Sequence, residues 1–242
     1  MTNLIWQYHV DANRTYDGPD RKKMAMASAE LATLYAMKHG AEYQIASHSR
    51  WWSEGYHGGP AIERFQLLDE KYDVYDYVLY LDTDILISAD APNIFEEYAG
   101  AVVAANNQNH SQDKLRLTDG WLKSEFPDPQ RYLKSYANGA ILLMSREFRQ
   151  YLRGVLDVAD MQVDVGRHWT RDGMLVRWPV YDQSLLSYWL AMSPYTLKGI
   201  DRSWIYGPHF YNHGGPKTEE NLQRYFDRYK ALRDQWVAAV DR

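Results

Sequence analysis

Tyr75-Asp76-Tyr77-Val78-Leu79-Tyr80-Leu81-Asp82-Thr83-Asp84-Ile85-Leu86-Ile87-Ser88 reads as a strand that delivers two carboxylates at its end. The run from Val78 to Leu81 is apolar and rich in β-branched and aromatic residues, the pattern of a strand covered on both faces of a parallel sheet. Charged carboxylates placed in such an interior cost several kcal/mol each, so Asp82-Thr83-Asp84 points to a crevice at the strand end and a shared cation. Two acids one residue apart can hold one hard divalent ion, which in turn can hold diphosphate oxygens. A turn in which the acids merely accept backbone N–H bonds is the structural alternative.

On the N-terminal side, residues 4–10 read as a first strand, 11–20 as a polar loop, 21–39 as a helix stopped by Gly40, and 42–46 as a second strand. Together they make a βαβ unit. No Gly-x-Gly-x-x-Gly follows the first strand, which removes the main signal of a dinucleotide-binding fold. The loop 47–60 carries Trp51-Trp52, Tyr56-His57 and Gly58-Gly59-Pro60 without any period and is a candidate ligand loop. A short helix over 61–72 turns Ile62, Phe65 and Leu68 inward, with Arg64 on another face.

On the C-terminal side a short helix is expected at 93–98 and strands at 101–105 and 139–144. Ser145 caps a helix through Phe148 and Leu152, and Thr218 caps a last amphipathic helix through Leu222, Tyr225, Leu232 and Trp236. A helix over 182–191 and a strand over 195–200 lie between them. The stretches 106–135 and 161–180 are irregular, long enough to be functional loops. Of the polar constellations, His209 to Lys217 has an imidazole suited to Mn2+, paired glycines for close backbone approach, and a lysine charge for phosphate. Asn138-Gly139 offers an amide and a bare backbone to a sugar hydroxyl, and Asp182-Gln183 opens a helix. Each of these taken alone is better explained by a turn or a cap.

Composition bounds the rest. The 242 residues suit one α/β domain, and a net charge of −5 gives no basic surface for nucleic acid. With no cysteine, disulfides, zinc thiolates and a cysteine nucleophile are out. The 20 Tyr and 9 Trp serve mainly the core, with some available to stack on sugars. Neither a leader-like start nor a transmembrane segment of about 20 apolar residues is visible, so a soluble, cytoplasmic protein is expected.

In order along the chain these segments resemble a retaining glycosyltransferase of the GT-A fold, closest in pattern to glycosyltransferase families 8 and 34. The carriers are Leu81-Asp82-Thr83-Asp84, Asn138-Gly139-Ala140, Asp182-Gln183, the C-terminal His-Gly-Lys run, and Tyr35-Ala36-Met37-Lys38-His39-Gly40. The chain departs from the pattern in reversing the usual Ala-Gly order at 139–140 and in a shorter Gly-to-Lys spacing than family 8. The resemblance implies a single GT-A-like α/β domain, a mostly parallel central sheet flanked by helices. Its nucleotide-binding half covers about 1–105, and its donor-sugar and acceptor half about 106–242. It implies Asp82, Asp84 and His213 as ligands of Mn2+ or Mg2+, with Thr83, Gly215 and Lys217 beside the donor diphosphate. Tyr8, His9 and Asp11 would face base and ribose, and Arg64, Asn138, Gly139, Asp182 and Gln183 would surround the donor sugar, the last two as the catalytic pair. The implied reaction moves a sugar from a nucleotide-diphosphate sugar, expected to be a UDP-sugar, to a glycan or other hydroxyl acceptor with retention. The resemblance implies same-face attack, in keeping with the lack of a visible second carboxylate partner for Asp182.

Other classes fit less well. A haloacid-dehalogenase-like sugar phosphatase would use Asp82 as nucleophile, but its motif sits near the chain start with Thr or Val where this chain has Leu86. A nucleotidyltransferase would want a Gly-rich basic loop after the first strand, which 11–21 is not. A non-catalytic carbohydrate-binding protein using Trp51-Trp52 would bind sugar without regard to metal or Asp84.

Overall fold

The computed structural model describes residues 1–9, 18–50, 60–107, 137–155, 183, 186–187, 190, 193–201, 203–212 and 218–240. Its first unit is strand β1 (Asn3–Tyr8), helix α1 (Gly18–Lys38) and strand β2 (Glu42–Ala46), with β1 and β2 parallel. Met24, Ala27, Leu31 and Tyr35 recur at helical spacing on α1 and are all buried, which drives this helix onto the sheet. It ends in a left-handed glycine, Gly40 at φ 65°. Ala41 N–H donates to Ala36 O at 2.9 Å and Gly40 N–H to Met37 O at 3.4 Å, the paired bonds of a Schellman cap. The chain therefore turns at once into β2.

Residues Pro60–Leu68 and Glu70–Tyr72 form two 3-10 segments rather than the one short helix expected over 61–72. Strand β3 (Tyr77–Leu81) follows, its Val78, Leu79 and Leu81 wholly buried as the opening stretch predicts. The acids do end this strand, but the chain then turns into a separate strand β4 (Ile85–Ile87). Strands β5 (Val103–Asn107), β6 (Ala137–Ser145) and β7 (Lys198–Gly199) complete a six-stranded sheet of order β2-β1-β3-β6-β5-β7. Within it β6 runs antiparallel to both neighbours, while β1 pairs in parallel with β2 and β3, and β5 with β7. The mostly parallel sheet expected from the sequence is thus observed, and so are helices on it. The strand expected over 195–200 reduces to β7.

Strand β8 (Phe210–Asn212) pairs antiparallel with β4 in a second, two-stranded sheet. Helix Glu219–Val240 lays Tyr225, Leu232 and Trp236 inward; Trp236 Nε1 donates to Ile87 O at 2.9 Å and Tyr225 hydroxyl to Met24 O at 3.1 Å, tying it to β4 and α1. Thr218 Oγ1 accepts from Asn221 N–H at 3.3 Å, the expected cap, and Ser145 Oγ accepts from Phe148 N–H at 3.2 Å at the head of helix Arg146–Val155.

The core is two apolar layers, one on each face of the large sheet. One joins α1, β4 and the C-terminal helix; the other joins Trp6, Ile62, Phe65, Phe148 and Leu152. Each fully buried Leu or Phe contributes roughly 1.5–3 kcal/mol relative to exposure. Arg149, also buried, donates to the carbonyls of Met144, Tyr72 and Tyr75 at 2.7–3.0 Å and binds the start of β3 to the end of β6. Burial pulls its guanidinium down to about 10, against the opposing pull of Asp73. Among the described residues no helix is long and apolar enough to cross a membrane.

Candidate functional site

Strand direction decides which residues meet. Because β1, β3 and β5 run one way and β6 the other, the end of β1 (Tyr8), the end of β3 (Leu81), the end of β5 (Asn107) and the start of β6 (Ala137) share one edge of the sheet. Crevices beyond the carboxyl ends of strands are where α/β sheets bind ligands. The acidic turn lies on that edge. Asp82 N–H donates to Ala140 O at 2.9 Å, Ile85 N–H donates back to Asp82 O at 3.2 Å, and Asp82, Thr83 and Asp84 are half-buried.

Tyr80 and Arg64 both hold the Asp82 carboxylate. Tyr80 hydroxyl donates to its Oδ1 at 2.8 Å, and Arg64 Nη2 lies 3.7 Å from the same oxygen. Arg64 is 2% exposed, with Nη1 donating to Gly139 O at 2.6 Å and Nε to Ala61 O at 2.9 Å. Its Cζ sits 4.4 Å from the centroid of the Tyr80 ring. This departs from the placement of Arg64 on a face away from the inward side chains: a 3-10 segment, with three residues per turn, brings the guanidinium into the core where carbonyls and a carboxylate compensate its charge. Gly139 is what lets it in, since a Cβ there would lie 1.5 Å from Arg64 Nη1. Asp84 lies close enough to the C-terminal helix for its charge to act on Tyr225. The Tyr225 phenol is pushed well up, first by burial and then by the Asp84 charge.

The other expected residues fall around this centre. Asn138 is buried and its Oδ1 accepts from Ala140 N–H at 2.8 Å. Gln183 is helical, and its carbonyl accepts from Ser187 Oγ at 2.7 Å; the same Oγ accepts from Ala137 N–H at 3.0 Å, which docks this helix on the start of β6 beside Asn138. Tyr8 is buried, its ring stacked on Trp6 at 6.3 Å and its hydroxyl bonded to Ser49. Burial pushes its phenol up, and the nearby Glu63 adds to the shift against the Ser49 bond. His9 leaves β1 with its N–H on Ala46 O at 2.8 Å. Asp11, Asp182, His213, Gly215 and Lys217 lie outside the described residues, as do Trp51-Trp52 and most of the irregular stretches. Asn212, the residue before His213, is paired with Ile85, the residue after Asp84.

The donor set of the turn is chemically suited to a hard divalent cation: two carboxylates on one strand end. Among the described residues no cluster of three or more His, Cys, Asp or Glu is placed to hold a metal, so any third protein ligand of that kind must come from elsewhere in the chain. Sequence reading missed Tyr80 and Ser187. Tyr80 could have been found, since it lies two residues before Asp82, the spacing at which a strand and its extension turn side chains the same way; Ser187 had no signal beyond sitting next to a buried leucine.

Neither a protein-family model nor a curated protein matches the chain. Among solved structures it is similar to a glycosyltransferase involved in the glycosylation of the major capsid of PBCV-1, at 12% identity and a TM-score of 0.58 over 94% of this chain and 100% of that one. Mouse xyloside xylosyltransferase 1 in its apo form aligns at 12% identity and 0.46, over 84% and 86%. The bifunctional glycosyltransferase WbbM aligns at 10% and 0.48, over 95% and 44%. The first likeness shows a shared fold, and the other two fall too low to carry an argument. The α/β architecture expected from the sequence is therefore that of a solved glycosyltransferase.

Proposed function

We propose that this chain is a metal-dependent retaining glycosyltransferase that transfers a sugar from a UDP-linked donor to a hydroxyl acceptor such as a glycan. The observation that carries the reading is the acidic turn Asp82-Thr83-Asp84 at the carboxyl edge of the sheet, bonded through Asp82 N–H to Ala140 O and buttressed by Arg64. The shared fold with a solved glycosyltransferase and the family 8 and 34 resemblance support it.

Bound Mn2+ or Mg2+ would offset the charge growing on the departing diphosphate. Asp82 and Asp84 would hold it, with His213 as third ligand; the pairing of Asn212 with Ile85 supports that assignment, because consecutive Cα atoms are only about 3.8 Å apart. Thr83, Gly215 and Lys217 would hold the diphosphate, and Tyr8, His9 and Asp11 would border the nucleotide. Arg64, buried as it is, serves the donor by fixing Asp82 and the Gly139 backbone rather than by reaching out to it. Asn138, Gly139, Asp182 and Gln183 would surround the sugar, with Gln183 near the anomeric centre and the leaving phosphate taking the acceptor proton.

A panel of nucleotide sugars incubated with Mn2+ tests the reading. Slow hydrolysis of one donor to its nucleoside diphosphate is expected, with retained anomeric configuration in the glycoside product by NMR. Inverted product would remove the retaining assignment, and phosphate release from a sugar phosphate that survives Lys217→Ala but not Asp82→Asn would favour the phosphatase instead.

A further inference from the structure

Both ends of the acidic turn are fastened by side chains that carry no charge. Gln7 on β1 and Ser28 on α1 are wholly buried, in the layer that also holds Ile5, Leu31 and Ile85. Gln7 Nε2 donates to Ser28 Oγ at 2.8 Å and to Asp82 O at 3.1 Å, while its Oε1 accepts from Tyr43 hydroxyl at 2.7 Å. Ser28 Oγ in turn donates a hydrogen bond to Ile85 O at 2.6 Å. The amide orientation is fixed by this chain, since each nitrogen hydrogen has an acceptor and the oxygen has a donor. Burial pushes the Tyr43 phenol up, which keeps it a donor.

An apolar residue at either position would fill this layer but leave its neighbours short of a partner, the Tyr43 hydroxyl and Asp82 O at position 7 and Ile85 O at position 28. What the polar pair does is grip the two carbonyls that bracket Asp82-Thr83-Asp84, one at each end of the turn, from two different elements. We infer that Gln7 and Ser28 are positioning residues that set the aim of the Asp82 and Asp84 carboxylates through the carbonyls of Asp82 and Ile85, and so tune the affinity of the turn for its divalent cation. The pair touches neither carboxylate. It acts on the main chain that carries them, and a fully satisfied buried network of this kind rigidifies what it holds.

This rests on the metal reading above, and the test separates the two. Mn2+ is titrated by electron paramagnetic resonance at fixed uridine diphosphate, against a protein-free blank, for wild type, Gln7→Met, Ser28→Ala and the control Thr33→Val. Thr33 bonds only within its own helix, to Ala29 O, among the contacts described. Circular dichroism selects conditions in which each variant is folded. Gln7→Met and Ser28→Ala are expected to hold Mn2+ about tenfold more weakly, since each removes one hydrogen bond to a carbonyl of the turn, while Thr33→Val matches wild type. A purely structural role would lower the melting temperature and leave the Mn2+ affinity alone; that result overturns the inference with the metal reading intact. If wild type holds no Mn2+ above the blank, the metal reading fails and takes the inference with it. Should Gln7→Met not fold, Ser28→Ala decides alone, since alanine already occupies positions 25, 27, 29 and 32 of this helix.

Discussion

Gly139→Ala should be costly for a reason that involves one side chain. The new methyl would lie 1.5 Å from Arg64 Nη1 and 2.6 Å from its Cζ. Relief requires the guanidinium to withdraw by about 2 Å to reach ordinary contact. Arginine is flexible, but this one is 2% exposed and held by the carbonyls of Gly139 and Ala61 and by Asp82. Withdrawal breaks the 2.6 Å bond to Gly139 O, a charge-assisted bond worth roughly 1.5–3 kcal/mol, and the crowding adds about 1–3 kcal/mol of overpacking. The Asp82 ion pair is left out of the sum because Asp82 is 34% exposed and solvent screens it. A loss of roughly 2.5–6 kcal/mol is expected, a large share of the about 5–15 kcal/mol a domain possesses. Urea unfolding reads it as a lowered midpoint at constant slope. Repeating the substitution in an Arg64→Met background should shrink the penalty, because the fork that clashes is gone. A wild-type midpoint for Gly139→Ala, or the same penalty with and without Arg64, would refute the close-approach argument.

Three further outcomes follow from the same geometry. Tyr80→Phe removes the hydroxyl bonded to Asp82 Oδ1 while keeping the ring against Trp6, and should lower unfolding free energy by about 1 kcal/mol in urea. Arg149→Met strands the Met144, Tyr72 and Tyr75 carbonyls and should cost about 3 kcal/mol or more, yet leave the Mn2+ dependence of a folded sample unchanged, because it lies at the sheet edge away from the acidic turn. Alkali should unfold the protein cooperatively. Burial, with hydrogen-bonded Glu42 and Glu30 respectively, pushes the phenols of Tyr75 and Tyr229 up to about 12. The folded state then binds more protons than the unfolded one above the ordinary tyrosine value of about 10, so stability is full below that and falls as pH rises towards about 12. Phenolate absorbance at 295 nm should rise together with loss of far-ultraviolet dichroism; full ionisation near pH 10 in a still-native protein would contradict this.

The parts of the fold legible in sequence were those with a long period or a strong stop. The apolar repeat of α1 with Gly40 after it, the run Val78 to Leu81, and the capped C-terminal helix each declare themselves locally. Strands β4 and β8 did not, because at three residues each they owe their existence to pairing with one another across more than a hundred positions. Phe210 to Asn212 read instead as part of a polar ligand run. Arg64 was misplaced because helical spacing assumed an α-helix where a 3-10 segment forms, and because a buried charge is legible only once its acceptors are known. Gln7, Ser28 and Tyr43 looked ordinary for the same reason: each is one polar residue among apolar ones, and their mutual bonding joins three elements. The acidic turn was legible because two charges at the end of a buried strand demand an explanation. Its position on the same edge as Asn138 and Gly139 follows from β6 running antiparallel to β3, which no local pattern states.

Calorimetric titration of uridine diphosphate into wild type and Asp84→Asn, with Mn2+ and with chelator, tests the central claim most directly. Binding by wild type that needs Mn2+ and is lost in Asp84→Asn is the predicted result. Equal binding in chelator, or an Asp84→Asn protein that binds as wild type does, would contradict the assignment of this turn to a metal-held diphosphate.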